Sequence, residues 1–120
     1  MASVAAGTAA EVLVVGGGMV GLTLACALAD AGVEVVVVDG EDPETVTHAA
    51  FDGRVSAIAY ASRRALKAVD LWAGMARAAE PILEIRVSDA DSPFFLHYDH
   101  REVGDEPLGY IVENRVIRRA

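Results

Sequence analysis

One hundred and twenty residues allow at most one ordinary domain, and a chain 53% hydrophobic and 23% charged is globular, not disordered. Eighteen acidic residues against ten basic ones give a net charge of −8, which excludes nucleic acid as a partner, because that needs clustered Lys and Arg to displace counterions. One cysteine, Cys26, cannot form an internal disulfide, so the expected setting is reduced and cytoplasmic.

Residues 1–10 are alanine-rich and featureless, and are expected to form a disordered tail before a folded region over residues 11–120. Val12 to Val15 is a short β-branched run typical of a strand buried on both faces. Gly16 to Gly18 break it. Met19 to Asp30 then reads as a helix closed by Gly32, and Val33 to Val38 as a second strand. Strand, tight turn, helix and strand in so few residues make a β-α-β unit with parallel strands.

Val12 to Ala29 carries no charge and is long enough for a membrane-spanning helix, and "ALA" at Ala27 to Ala29 resembles a signal-cleavage site. No Lys or Arg precedes Arg54, however, so a signal sequence would lack its basic flank. Three consecutive glycines inside the run also oppose a continuous helix, each by about 1 kcal/mol relative to alanine.

Further on, the acidic stretch from Glu41 to Gly53, with Pro43, reads as a loop. Ser62 is the expected N-cap of a helix reaching about Val69, and a shorter helix is expected over Ala73 to Ala79, ended by Pro81. "ILEIRVS" alternates, with Leu83, Ile85 and Val87 on one face, which predicts a strand with one wet face, antiparallel to its neighbours. "FFLHYDH" and "LGYIVEN" are further strands, and "NRVIRRA" opens a helix. The expected class is α/β: a Rossmann-like β-α-β unit with additional antiparallel strands.

The glycines carry the chemistry. In a dinucleotide fold the first permits the tight turn, the second lets the backbone approach a pyrophosphate, and the third lets helix and strand pack closely. Those places fall to Gly16, Gly18 and Gly21. The helix opening at Met19 points unpaired N–H groups and a positive dipole end at the phosphates. Asp39 closes the second strand about twenty residues on, where an acid hydrogen-bonds a ribose. The bland alternative is a β-α-β unit with a glycine turn and no ligand.

Cys26, between Ala25 and Ala27, reads as a small buried hydrophobe, and Trp72 as the residue packing a small helix against the sheet. His48, His97 and His100 have no converging ligand spacing, so no metal is expected. "DGR" at Asp52 to Arg54 is either a plain turn or a functional loop.

"GGGMVGLTLACALADAGVEVVVVD", "FDGRVSAIAYASRRALKAVDLW", "PILEIRVSD" and "LGYIVEN" together resemble, in that order, the N-terminal part of the ubiquinone-biosynthesis hydroxylases. These are FAD-dependent aromatic-ring monooxygenases related to para-hydroxybenzoate hydroxylase. The resemblance covers Glu11 to Ala120. It implies that Gly16, Gly18, Met19 and Gly21 line the FAD pyrophosphate and that Asp39 holds the adenosine ribose. It implies that Arg54 contacts FAD, and that Asn114, where relatives carry Arg or Gln, touches the flavin nucleotide. Asp70-Leu71-Trp72 stands where the family tends to have Gly-Leu-Trp, which puts a local turn in doubt.

The resemblance further implies NAD(P)H as reductant, O₂ as co-substrate and a polyprenyl-phenol ubiquinone precursor as substrate, with peripheral inner-membrane or biosynthetic-complex association. The flavin carries such chemistry, so no catalytic nucleophile or triad is expected. Such relatives are much longer, so the chain is expected to be the first part of the FAD-binding domain, lacking a later Gly-Asp motif and the substrate domain. On that reading it binds FAD weakly or folds poorly alone. The alternatives are a segment of an NAD-dependent dehydrogenase and a non-catalytic nucleotide-binding fragment.

Overall fold

A computed structural model describes residues 9–48 and 50–120. Most of the expected disordered tail lies outside the described residues. β1 (Val12–Val15), α1 (Met19–Asp30) and β2 (Val35–Val38) form the β-α-β unit, with β1 and β2 parallel in register from Val12↔Val35 to Val15↔Val38. α1 ends as the glycine predicts. Gly32 adopts φ +83°, its N–H bonds the Ala29 carbonyl at 2.9 Å, and the Val33 N–H reaches back to Leu28 at 3.0 Å. That Schellman cap takes up Val33, which is why β2 begins at Val35 and not at Val33.

β1 is covered on one face only. Val14 is buried beneath α1, whereas Leu13 and Val15 are 61% and 81% exposed, so the expected burial on both faces is not met within this chain. Cys26 is exposed too, against expectation. Successive helical residues are turned by about 100°, and Ala25 takes the buried place instead.

The acidic loop contains a helix that the sequence reading missed, α2 (Pro43–His48). Pro43 sits at its first position, and the Asp42 carboxylate accepts the Glu44 N–H at 3.1 Å, an N-cap hidden within an acidic run. β3 (Val55–Ala59) runs without a break into α3 (Tyr60–Ala68). α3 therefore starts before Ser62 and has no side-chain cap; the Tyr60 N–H is satisfied by the Leu108 carbonyl at 3.1 Å.

α4 (Trp72–Met75) and a 3₁₀ turn (Ala76–Ala78) lead to β4 (Glu80–Ile82), where Pro81 stands within a strand. It is tolerated because β4 is the edge of a sheet ordered β3-β7-β4, with β7 spanning Gly109–Glu113. "ILEIRVS" is thereby split. Ile82 pairs with Gly109 in β7, whereas β5 (Glu84–Ser88) pairs antiparallel with β6 (Phe95–Asp99). The alternation sorts the side chains as predicted, with Ile85, Val87, Leu96 and Tyr98 on one side and Glu84, Arg86 and His97 on the other, but the apolar side is exposed as well, so the expected single wet face is not met within this chain. α5 (Asn114–Arg119) follows β7 directly.

The core lies between the three-stranded sheet and the helices that follow β3. It contains Ile58, Leu66, Trp72, Met75 and Val112, with Tyr110, Val116 and Ile117 packed against it. Trp72 meets Tyr110 edge to face at 5.0 Å, as expected of a residue packing a small helix on a sheet. The Arg63 guanidinium lies 5.5 Å from both the Trp72 and Tyr110 ring centres and 5.8 Å from that of Tyr60, so aromatic faces surround its charge.

The turn put in doubt by Asp70 is intact. Asp70 takes φ +59°, its N–H bonds Lys67 at 3.2 Å, and the Leu71 N–H bonds Leu66 at 2.9 Å, a second Schellman cap with an aspartate in glycine's place. A left-handed non-glycine residue costs roughly 1–2 kcal/mol, partly offset by glycine's greater unfolded freedom. Asp70→Gly is therefore expected to raise unfolding stability by about 0.5–1 kcal/mol. Urea denaturation followed by circular dichroism checks this, and a loss of stability would contradict it.

Candidate dinucleotide-binding site

The loop between β1 and α1 is built around one close approach. A Cβ at Gly21 would lie 2.0 Å from the Gly16 carbonyl oxygen and 3.3 Å from Val14 Cγ1, so only glycine lets α1 settle on the turn. Gly16 adopts φ +105°, and its N–H bonds the Val38 carbonyl at 2.8 Å, tying the turn to β2.

Gly18 has a different role. It is the N-cap of α1 in extended geometry, with no side-chain cap, and a Cβ placed on it would meet no protein atom within 4 Å. The first turn of α1 contains no acidic residue, and the first intrahelical bond is Leu22 N–H to Gly18 at 2.9 Å. The N–H groups of Met19, Val20 and Gly21 thus have no intrahelical partner at the positive end of a twelve-residue helix. A helix end of that polarity is one that attracts anions.

Asp39, just past β2, faces this loop. One carboxylate oxygen accepts the Gly17 N–H at 2.5 Å and the other the Glu41 N–H at 2.7 Å. The Glu41 and Gly17 amides hold its carboxyl below the ordinary value of 3.8. Each oxygen keeps a lone pair, enough to accept a ribose hydroxyl as well.

The remaining predicted residues gather at the start of β3 and the end of β7. Arg54 precedes β3 and is bound by its neighbour Asp52, through Nε at 2.7 Å and a terminal nitrogen at 2.6 Å, which holds its guanidinium above the usual arginine value. The Arg54 carbonyl accepts the Asn114 N–H at 3.1 Å. Asn114 opens α5, and its Oδ1 accepts a bond of 2.7 Å from the Ser56 hydroxyl. Ser56 Oγ also stands 3.8 Å from Met19 Sδ. The structure therefore forms two groups, the glycine loop with Asp39 and the Arg54–Asn114 pair, which meet where Ser56 reaches Met19. Sequence reasoning missed Ser56; its only signal was a hydroxyl inside the apolar strand "VSAIA", two residues after Arg54.

A parallel β-α-β unit with a glycine turn, an open helix N-terminus and a strand-end acid defines a dinucleotide-binding protein of the Rossmann type. The chain belongs to the FAD-dependent oxidoreductase family, whose model (DAO) matches residues 11–103. That sets FAD above the dehydrogenase alternative. The chain is 57% identical over 111 residues to the ubiquinone hydroxylase UbiL of Rhodospirillum rubrum, covering 92% of this chain and 26% of that protein. It is 36% identical over 112 residues to the 3-demethoxyubiquinol 3-hydroxylase of Escherichia coli, covering 92% and 28%. It is 32% identical over 117 residues to the ubiquinone biosynthesis monooxygenase COQ6 of Xenopus tropicalis, covering 92% and 25%. Among solved structures, a peptidyl tryptophan dihydroxylase, QhpG, superposes with a TM-score of 0.57 at 20% identity over 94% of this chain and 22% of that one, a likeness of fold. The chain spans about a quarter of the length of the curated relatives it matches.

Two outcomes test the loop. Gly21→Ala forces a methyl group into the Gly16 carbonyl, and is expected to cost about 3 kcal/mol of stability in urea denaturation; a near-neutral change would refute the close approach. Because the folded value of Asp39 is lowered, its contribution is full above 3.8 and is lost only as pH falls through the lowered value. A carboxyl titration by NMR is expected to give a midpoint below 3.8, and one at or above it would contradict the two amide bonds.

Proposed function

We propose that this chain forms the first part of the FAD-binding domain of an NAD(P)H-dependent monooxygenase that hydroxylates a polyprenyl-phenol ring in ubiquinone biosynthesis. The observation that carries this reading is the 57% identity to a ubiquinone hydroxylase across 92% of the chain. The helix end described above supports it independently, since the unpaired N–H groups of α1 suit the pyrophosphate of FAD.

The residues divide the work of binding. Gly16, Gly18 and Gly21 bring backbone close to the pyrophosphate, with the Met19 N–H among the donors. Asp39 accepts the adenosine ribose hydroxyls while the Gly17 and Glu41 amides keep it ionised. Arg54 and Asn114 hold the flavin-side nucleotide. When bound, FAD would carry two electrons from NAD(P)H to O₂, one oxygen atom entering the ring as hydroxyl and the other leaving as water. No helix among the described residues is long and apolar enough to cross a membrane, and the polyprenyl tail of the substrate favours peripheral contact with the inner membrane.

The experiment is to purify the full-length protein, record its absorbance, and supply NAD(P)H, O₂ and a polyprenyl-phenol. A flavin spectrum and a product heavier by one oxygen are expected. A colourless protein, or a flavoprotein that oxidises NAD(P)H without ever yielding that product from any ubiquinone precursor, would overturn the reading.

A further inference from the structure

Ser56 is the one hydroxyl in β3, whose other residues are Val55, Ala57, Ile58 and Ala59. It faces two acceptors with a single proton. Asn114 Oδ1 lies at 2.7 Å and Met19 Sδ at 3.8 Å; a carbonyl oxygen is the stronger acceptor and is the closer, so the proton goes to Asn114. The main chain of Asn114 is held as well, since its N–H bonds the Arg54 carbonyl at 3.1 Å. Both the backbone and one end of the carboxamide are thus fixed. Among the described residues nothing hydrogen-bonds the other end, Nδ2, which carries two donor protons and no acceptor.

We infer that Ser56 is a positioning residue for FAD: by occupying Asn114 Oδ1 it leaves Nδ2 as the free end of the carboxamide, a donor for an acceptor atom of the bound flavin nucleotide. The inference rests on the proposed contact of Asn114 with FAD and deepens it. An asparagine carboxamide flips readily and offers a donor or an acceptor with nearly the same shape. Asparagine can supply a donor reliably only if its oxygen is already committed. The Met19 sulfur, 3.8 Å from the same hydroxyl, places Ser56 beside the first turn of α1.

The test is a double-mutant cycle in the full-length protein, with the FAD dissociation constant read by flavin fluorescence titration of the apoprotein and folding checked by circular dichroism. Asn114→Ala is expected to weaken FAD about tenfold, and Ser56→Ala about three- to tenfold, the range of one lost hydrogen bond. The double variant should bind no worse than Asn114→Ala alone, and Ser56→Thr, which keeps a hydroxyl, should bind like the parent. Ser56→Cys, a weak donor of similar size, serves the same comparison if the alanine variant does not fold. If Asn114→Ala leaves FAD affinity unchanged, the contact of Asn114 with FAD is wrong. If Asn114→Ala weakens binding but Ser56→Ala does not, or if the two losses simply add, that contact stands and the role given to Ser56 is overturned.

Discussion

The 2.0 Å that would separate a Gly21 side chain from the Gly16 carbonyl is the constraint on which the rest depends. With hydrogen alone at position 21, α1 lies against the turn it leaves, and its N-terminus opens beside the end of β1. The same seating buries Val14 and lets β2 return parallel to β1, in a register that delivers Asp39 to the Gly17 amide. Remove the close approach and the helix must lift, which separates the donors of the loop from the acid that faces them. One missing methyl group therefore sets the position of four others of the site: Gly16, Gly18, Met19 and Asp39.

Electrostatics resolve an apparent conflict. A chain of net charge −8 is proposed to take an anionic ligand at the N-terminus of α1. It can do so because charge acts locally at this distance, and salt screens what lies beyond about 10 Å. No acid lies in the first turn of α1, and the acid nearest the loop, Asp39, has each carboxylate oxygen covered by a backbone N–H. Those amides, one from the glycine loop and one from the turn after β2, support the ionised form. Two further acids near the site are paired with arginines: Asp52 binds Arg54, and Glu113 binds Arg115 at 2.5 Å.

What could be read from the sequence was what local chemistry decides. The bounds of α1 and the parallel unit around it followed from glycine punctuation and β-branched runs, and the strand at "LGYIVEN" from its composition. What could not be read depends on partners distant along the chain. Nothing within "ILEIRVS" says that Ile82 will pair with Gly109 while Ile85 pairs with Tyr98. The exposure of Cys26 was hidden because α1 is apolar all round and offers no polar face to orient it. α2 was masked by the acids that cap it. Ser56 acts on Asn114, fifty-eight positions away, and only strand pairing brings them together. The FAD roles of Arg54 and Asn114 came from family resemblance; residue chemistry left Arg54 open between a plain turn and a functional loop and gave Asn114 no distinction.

The seat of Trp72 has a practical meaning for anyone observing this molecule in solution. It is the only indole in the chain, and it lies in the cluster beside Tyr110 and Met75, among the antiparallel strands and their helices, not in the glycine loop. Its emission therefore reports the integrity of that half and is silent about the local order of the other. Were the parallel unit to open while the core around Met75 held, intrinsic fluorescence would record a folded protein, and only a probe placed near α1 would register the change.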